Sequence, residues 1–395
     1  MLQDFQFYNN IQDYLTKSFA GNMIRRAPNG TAPLFALTSM MGTGTALSVE
    51  HGYFAKTMLF PQLTMGAAAT DAATTFTVTD TTQILEGDQF ISPSQELILV
   101  TSVDSATQVT VLRSVGQVTA SAIANGDVLY GVGNMHEQAS DRPASRLMNP
   151  VRVINNTQIF RNSWALPKTM GVIKPIVGDD LISESREDAG MLHSADIEKA
   201  MLFGQKFGTV HKGQYMTGMD GIIETVRRLA PAENTTTAAG NMTFDSLEAA
   251  LDPVFDTMSN GQNPNDRLLF VGGRARKAIN KIGRTTGQYQ ILDDRTPFGL
   301  QFQAFKISRG GFSMIEHPIL NSNPVWSGYA IAVDMSTIKL MHLDGRQTTH
   351  IPYGIDGRHT DNGIDAVGGT LTTELTMELT NPTAHAVITG ITGAA

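Results

Sequence analysis

The side chains able to do chemistry in this chain are imidazoles and carboxylates, since it has 9 His, 37 Asp and Glu, and no cysteine. Disulfides, thiolate metal sites and cysteine nucleophiles are thereby excluded, and a metal centre would need nitrogen and oxygen ligands alone. The densest group is His342, His350 and His359 with Asp344, Asp356 and Asp361. Its imidazoles stand 8 and 9 residues apart, which matches no compact ligand motif, so scattered surface histidines are the better account. Gly42-Thr43-Gly44 lacks the third glycine and the strand-to-helix setting of a dinucleotide loop, and no GxxxxGK followed by Ser or Thr occurs. GxSxG and HExxH are absent as well. The expectation is a chain that is not an enzyme, with no catalytic, cofactor-binding or metal-ligating residues and no cofactor.

The basic groupings are Arg25 with Arg26, Arg227 with Arg228, and Arg274, Arg276, Lys277, Lys281 and Arg284. Each is small, and a solvated helix face explains the third as well as a nucleic acid does. Without interleaved aromatics, sequence-specific recognition is not expected, although backbone contact spread over many copies is compatible with them.

The elements that must carry these residues follow from composition and pattern. At 395 residues, 41% apolar and 17% charged, the chain can bury two or three cores. It has no membrane-length apolar run and no secretory signal at MLQDFQFYNN, so the expected place of synthesis is a cytoplasm and no membrane partner is expected. The net charge of -8 is unevenly spread. Between Gly66 and Gly133, seven acids (Asp71, Asp80, Glu86, Asp88, Glu96, Asp104, Asp127) face one base, Arg113, so that segment holds -6 and the remainder -2. Segregated charge points to segregated environments.

That acidic segment reads as short strands at 76–78, 89–91, 97–103, 109–112 and 128–130, separated by Gly, Pro, Asn and Asp turns, which predicts a small β-barrel or sandwich inserted into another fold. From Asp180 to Gln205 a long helix is predicted, with Ala189, Leu192 and Ala200 on one stripe, Ile197 and Met201 beside it, and Gly190 as a place for bending. A second helix follows Thr243 with a kink at Pro253. Arg267–Val271 reads as a buried strand, and Ala275, Ala278, Ile279 and Ile282 form a third helical face after Gly272-Gly273. Beyond Phe302 the pattern is β. In GGTLTTELTMELTNP, taken as the last strand, Leu371, Thr373, Leu375, Met377 and Leu379 face the core, while Thr372, Glu374, Thr376 and Glu378 face water or a neighbour. Residues 1 to about 40 read as an arm that packs on something else, since Pro28, Gly30 and Pro33 prevent a long helix.

The run MHEQASDRPASRLMNPVRVINNTQIF, polar and Arg-rich and then alternating, reads as a long strand standing clear of a core and in need of a partner surface. With GNMIRRAPNGTAPLFALTSM, ADIEKAMLFGQ and LTTELTMELTNPTAHAVITGI, it resembles the major capsid proteins of tailed double-stranded-DNA bacteriophages, in a lineage carrying a β-domain within the extended loop. The resemblance covers nearly all of the chain outside the insert. It implies an α+β, Hong Kong 97-like capsid fold: an N-terminal arm at 1–40, an extended loop at 41–65 and 134–170, and the inserted β-domain at 66–133. It also implies a peripheral domain with a spine helix at 171–242 and 360–395, and an axial domain at 243–359.

The function so implied is self-assembly into the hexamers and pentamers of an icosahedral head enclosing double-stranded DNA, assembled in the host bacterial cytoplasm. The implied partners are the chain itself, a separate scaffolding protein, portal and decoration proteins, and packaged DNA contacted non-specifically. A separate scaffold is expected because only a short arm precedes the folded body. Lys56 lies in the loop that some relatives crosslink, yet no acceptor context accompanies it, so crosslinking is not expected. The alternatives are an encapsulin-like compartment shell and a β-rich adhesin or carbohydrate-active protein.

Overall fold

The computed structural model describes residues 32–40, 42–56, 61–138, 142–146, 150–173, 180–256, 267–286, 293–295, 301–354 and 365–394. Most of the N-terminal arm, Arg25 and Arg26 included, and residues His359, Asp356 and Asp361 lie outside them. The chain divides into two compact units, Phe54–Val153 and Met1–Tyr53 with Ile154–Ala395.

The smaller unit is built on one six-stranded sheet ordered Gln62–Thr64, Val128–Asn134, Asp88–Ile91, Leu97–Ser105, Gln108–Leu112 and Thr75–Thr77. Its two outer strands meet at the Met65–Val78 bridge, with Gly66 N–H donating to Thr77 O (2.8 Å) and Thr79 N–H to Thr64 O (3.0 Å), so the sheet closes into a barrel. Period-two alternation sends Phe76, Phe90, Ile98, Val109 and Leu129 into one buried core. The sheet takes in Gln62–Thr64, which the sequence reading leaves in the extended loop. Inside it, Glu96 is fully buried against Arg113, which reaches both carboxylate oxygens (2.7 and 2.6 Å) and lies 5.2 Å from the Phe76 ring centroid. Burial alone would raise the Glu96 pKa, but the Arg113 hydrogen bonds and the Ser114 and Ser121 N–H groups hold it below the ordinary carboxylate range.

The larger unit is mixed α and β, as expected for an α+β chain. One sheet orders Thr43–Ala46, Ile338–Leu343, Ala366–Leu379 and Gln158–Pro167, with Thr349–Tyr353 also paired to Ala366–Leu379. A second sheet has seven strands, ordered Thr235–Met242, Ala386–Ala394, Ala330–Val333, Arg267–Val271, Gly310–Glu316, Gln301–Ile307 and Asp293–Arg295. This second sheet is covered on both faces. Leu269, Val271, Ala330 and Ala332 join the core that holds the helices Phe244–Leu251 and Gly273–Thr286. Their neighbours Phe270, Ile331 and Val333 join the core of the helices Leu181–Phe203 and Ile222–Leu229. Burial on both faces explains why these strands read as unbroken apolar runs.

Several expectations change. The long helix runs unbroken from Leu181 to Phe203, capped by Asp180 accepting from Ile182 N–H (3.0 Å). It stops at Gly204, where a Cβ would stand 2.4 Å from Ala200 O and 2.5 Å from Met219 O. Its buried stripe contains His193 and Glu198, whereas Leu192 is 60% exposed. Ala366–Leu379 is not the last strand. Ala386–Ala394 follows and enters the second sheet, parallel to Thr235–Met242 and antiparallel to Ala330–Val333. Glu374 and Thr376, expected to face water or a neighbour, are buried because other segments of the same unit cover that face. Pro33, read as one of the residues that prevent a long helix, stands at the start of a short one. This helix, Pro33–Met40, docks on the chain's own body through fully buried Leu34.

Candidate assembly surface

The residues singled out for chemistry are not brought together. His342 pairs in register with Thr45, and burial lowers its pKa. His350 stacks on Trp164 (6.0 Å between centroids) and accepts from its Nε1 (3.2 Å). Among the described residues no three His, Asp or Glu side chains are placed to hold a metal. Gly44 sits in a strand beside Met341, whose Sδ would lie 2.4 Å from a Cβ there, so that glycine serves close packing and not a phosphate loop. In the third basic cluster Arg276 pairs with Glu316 (2.7 Å) and Lys281 donates to Ala394 O (2.8 Å). Arg227 pairs with Glu224 (3.0 Å) and Arg228 with Asp220 (2.5 Å). Much of the basic charge is thus tied within the unit.

Buried polar ties hold distant segments in place instead. Glu198 accepts from Leu34 N–H (2.7 Å) and Phe35 N–H (2.6 Å), and its Oε1 lies 2.7 Å from Nε2 of fully buried His317. Those N–H groups belong to the first turn of the helix Pro33–Met40, where no intrahelical partner exists and negative charge is favoured. A helix 163 residues away in sequence therefore supplies the cap. The sequence signal was present, because Glu198 stands three and four residues before the buried Met201 and Leu202.

On the sheet face away from the long helix, Glu374 accepts from Thr157 Oγ1 (2.9 Å) and pairs with Arg346 Nε (2.7 Å), while Glu378 meets His51 Nε2 (2.6 Å). Beside them Tyr53 donates to Leu379 O (2.7 Å), and burial together with the Glu378 charge pushes its pKa up to about 12. On the helix side, His193 bridges Asn162 Oδ1 (2.7 Å) and Thr373 Oγ1 (2.8 Å), with its pKa lowered by burial.

Around this frame stand surfaces that are open to solvent over much of their area. Ile159, Arg161, Arg346, Thr349 and Ile351 line an open groove of about 400 Å³ on the outer sheet face. The hairpin Phe207–His211 and Gln214–Gly218, absent from the sequence reading, is exposed along nearly its whole length. The ribbon of Glu50–Ala55 and Val151–Asn156 is half open, exposed at alternate residues of its first strand and at Val151 and Arg152 of its second. Such an arrangement offers several surfaces to partners.

The sequence profile of the SU10 major capsid protein family matches residues 4–392. A major capsid protein of Pseudomonas phage PaMx41 is 35% identical over 394 residues, covering 97% of this chain and 94% of that one. Among solved structures, a chain of Microbacterium phage Oxtober96 is 12% identical with a TM-score of 0.49, covering 97% of this chain and 99% of that one. The SrpI encapsulin of Synechococcus elongatus is 12% identical with a TM-score of 0.43, covering 62% of this chain and 78% of that one.

Proposed function

Because the chain belongs to the SU10 major capsid protein family, so that it is the major capsid protein of a phage, we propose that it closes hexamers and pentamers into an icosahedral head around double-stranded DNA. The observation that carries this reading is the near full-length match to a phage capsid protein. The encapsulin alternative is not favoured, since both the family match and the 35% identical relative are phage major capsid proteins. The β-rich adhesin and carbohydrate-active readings have no support beyond strand content.

The finer assignments belong to the same proposal. The peripheral domain is formed by 171–242 and 360–395 with the spine helix, the axial domain by 243–359, and the extended loop carries the barrel as an insert. A separate scaffolding protein, portal and decoration proteins and non-specifically held DNA are the partners, and assembly takes place in the host cytoplasm. Catalysis has no part in this function. The physical sense is additive, since a head-to-tail contact repeated around a ring closes it, and arms reaching to neighbours sum many weak contacts.

The test is negative-stain electron microscopy with size-exclusion chromatography of the full chain, expressed with and without a candidate scaffold. Rings or closed shells are expected with the scaffold. A monodisperse monomer or dimer under every condition overturns the proposal.

A further inference from the structure

The hairpin Phe207–His211 and Gln214–Gly218 is a built feature with no internal use. A two-stranded ribbon is marginal in water by itself, yet this one is braced in two ways. At its root, Asp220 accepts from Lys206 N–H (2.7 Å), Asn155 accepts from Asp220 N–H (2.8 Å), and Thr217 Oγ1 donates to Thr157 O (2.6 Å). Along its length, aromatic rings cover the glycines of the opposite strand. Phe207 lies over Gly218, and Tyr215 lies over Gly208, each close enough that a Cβ at either glycine would clash. The tight turn is made by Lys212 and Gly213, both at positive φ (49° and 77°).

What this rigid ribbon displays is apolar. Val210 is 66% and Tyr215 69% exposed, with Phe207 and Met216 also open, and His211 and Lys212 at the tip are the only side chains in it that can carry charge. A large apolar display held this firmly marks an interaction site. A polyanion would gain little from it, because it carries almost no positive charge. The chain itself provides surface of the matching kind, since the groove of Ile159 and Ile351 is flanked by the guanidinium groups of Arg161 and Arg346. Isoleucine walls suit Val210 and Met216, and a guanidinium suits the face of a tyrosine.

We propose that the hairpin Phe207–Gly218 is an inter-subunit peg whose apolar side chains are covered by a second copy of this chain. The inference rests on the capsid reading and names one of its contact surfaces.

The experiment compares full-length wild type with Val210→Asp and Tyr215→Asp under conditions in which wild type assembles. Val210→Asp is the primary variant because Val210 covers no glycine. Circular dichroism and urea midpoints of the unassembled chains are expected to agree, while particle yield by size exclusion falls at least tenfold in both variants. A photo-crosslinking amino acid placed at Val210 in wild-type particles is expected to capture another copy of the chain. Particles of normal yield and heat resistance from both variants overturn the peg, as does capture of a different virion protein or of none. Failure of wild type itself to assemble would instead sink the capsid proposal, so the two failures are told apart.

Discussion

The barrel and the body answer the same demand, holding short strands together, in opposite ways. In the barrel the partners lie nearer in sequence: Leu97–Ser105 pairs with Gln108–Leu112, the buried pair Glu96 and Arg113 is 17 residues apart, and the longer pairing of Gln62–Thr64 with Val128–Asn134 stays within the module. In the body they are far. Glu198 reaches back 164 residues to Leu34 and forward 119 to His317, and Thr157 meets Glu374 across 217. Local pairing makes a module that can be carried inside another protein, whereas distant pairing makes a frame in which losing one tie loosens several segments at once.

The largest way to break that contrast is Glu198→Ala. It strands two N–H groups and a buried imidazole, and the body is expected to lose about 3–5 kcal/mol. Both tryptophans, Trp164 and Trp326, lie in the body, so their fluorescence in urea follows that unit alone. Amide exchange in the barrel strands should not change. A barrel that loosened together with the body would contradict the contrast.

The reciprocal change is Arg113→Met, which leaves the Glu96 carboxylate buried without its partner. About 3 kcal/mol is expected, confined to the barrel. Faster exchange at Phe76, Phe90 and Val109 with an unaltered tryptophan transition is the predicted record.

Acid should separate the units more gradually. His385 is wholly buried, and that burial, with the nearby Arg267 charge, pushes its pKa down to about 3. Its unfolded value is near 6.5, so above that pH both states hold the ring neutral and stability does not depend on this group. Between 6.5 and about 3 only the unfolded chain takes up the proton, and the body loses up to about 1.4 kcal/mol per pH unit on acidification. His193 and His342, also lowered by burial, add in the same direction. The barrel's Glu96 is held below its ordinary 4.5, so its contribution is complete above that value and is lost only in stronger acid. Urea midpoints by tryptophan fluorescence should fall between pH 7 and 5 and flatten in His385→Gln. Equal midpoints at both pH values would contradict the prediction, and a fall that persists unchanged in His385→Gln would show that another group sets the body's response.

The smallest change is a gain. Gly190 lies inside the long helix with nothing within 4 Å of the place a Cβ would take, so Gly190→Ala should stabilise the body by about 0.5–1 kcal/mol. Thermal unfolding of the unassembled chain tests this, and a loss would mean that the position is already filled.

The barrel was largely legible because each of its signals is short-range. Alternation placed Phe76, Phe90 and Val109, and turn residues marked the ends of strands. The helix after Gly272-Gly273 was legible for the same reason, with Ala275, Ala278, Ile279 and Ile282 all buried as its period required. The strand Ala386–Ala394 was not, because its glycines suppress strand propensity and only the strands on either side of it make it one. The hairpin escaped for a related reason, since its Gly208 and Gly218 are made tolerable by rings from the opposite strand. In the assembly surface, Arg346 and Glu374 were visible as charges but not as partners, and nothing local pairs Glu198 with His317.

By itself, then, the sequence determined class, segregation of charge and the absence of cysteine chemistry, because composition and period are properties of neighbouring residues. Its motifs carried the resemblance to capsid proteins as well. Only the tertiary structure decided which polar groups are buried, which face of Ala366–Leu379 is wet, and which apolar residues are left outside. The physical reason is that a carboxylate such as Glu198 belongs in water unless donors satisfy it, and the donors that let it be buried are brought by folding from more than a hundred residues away.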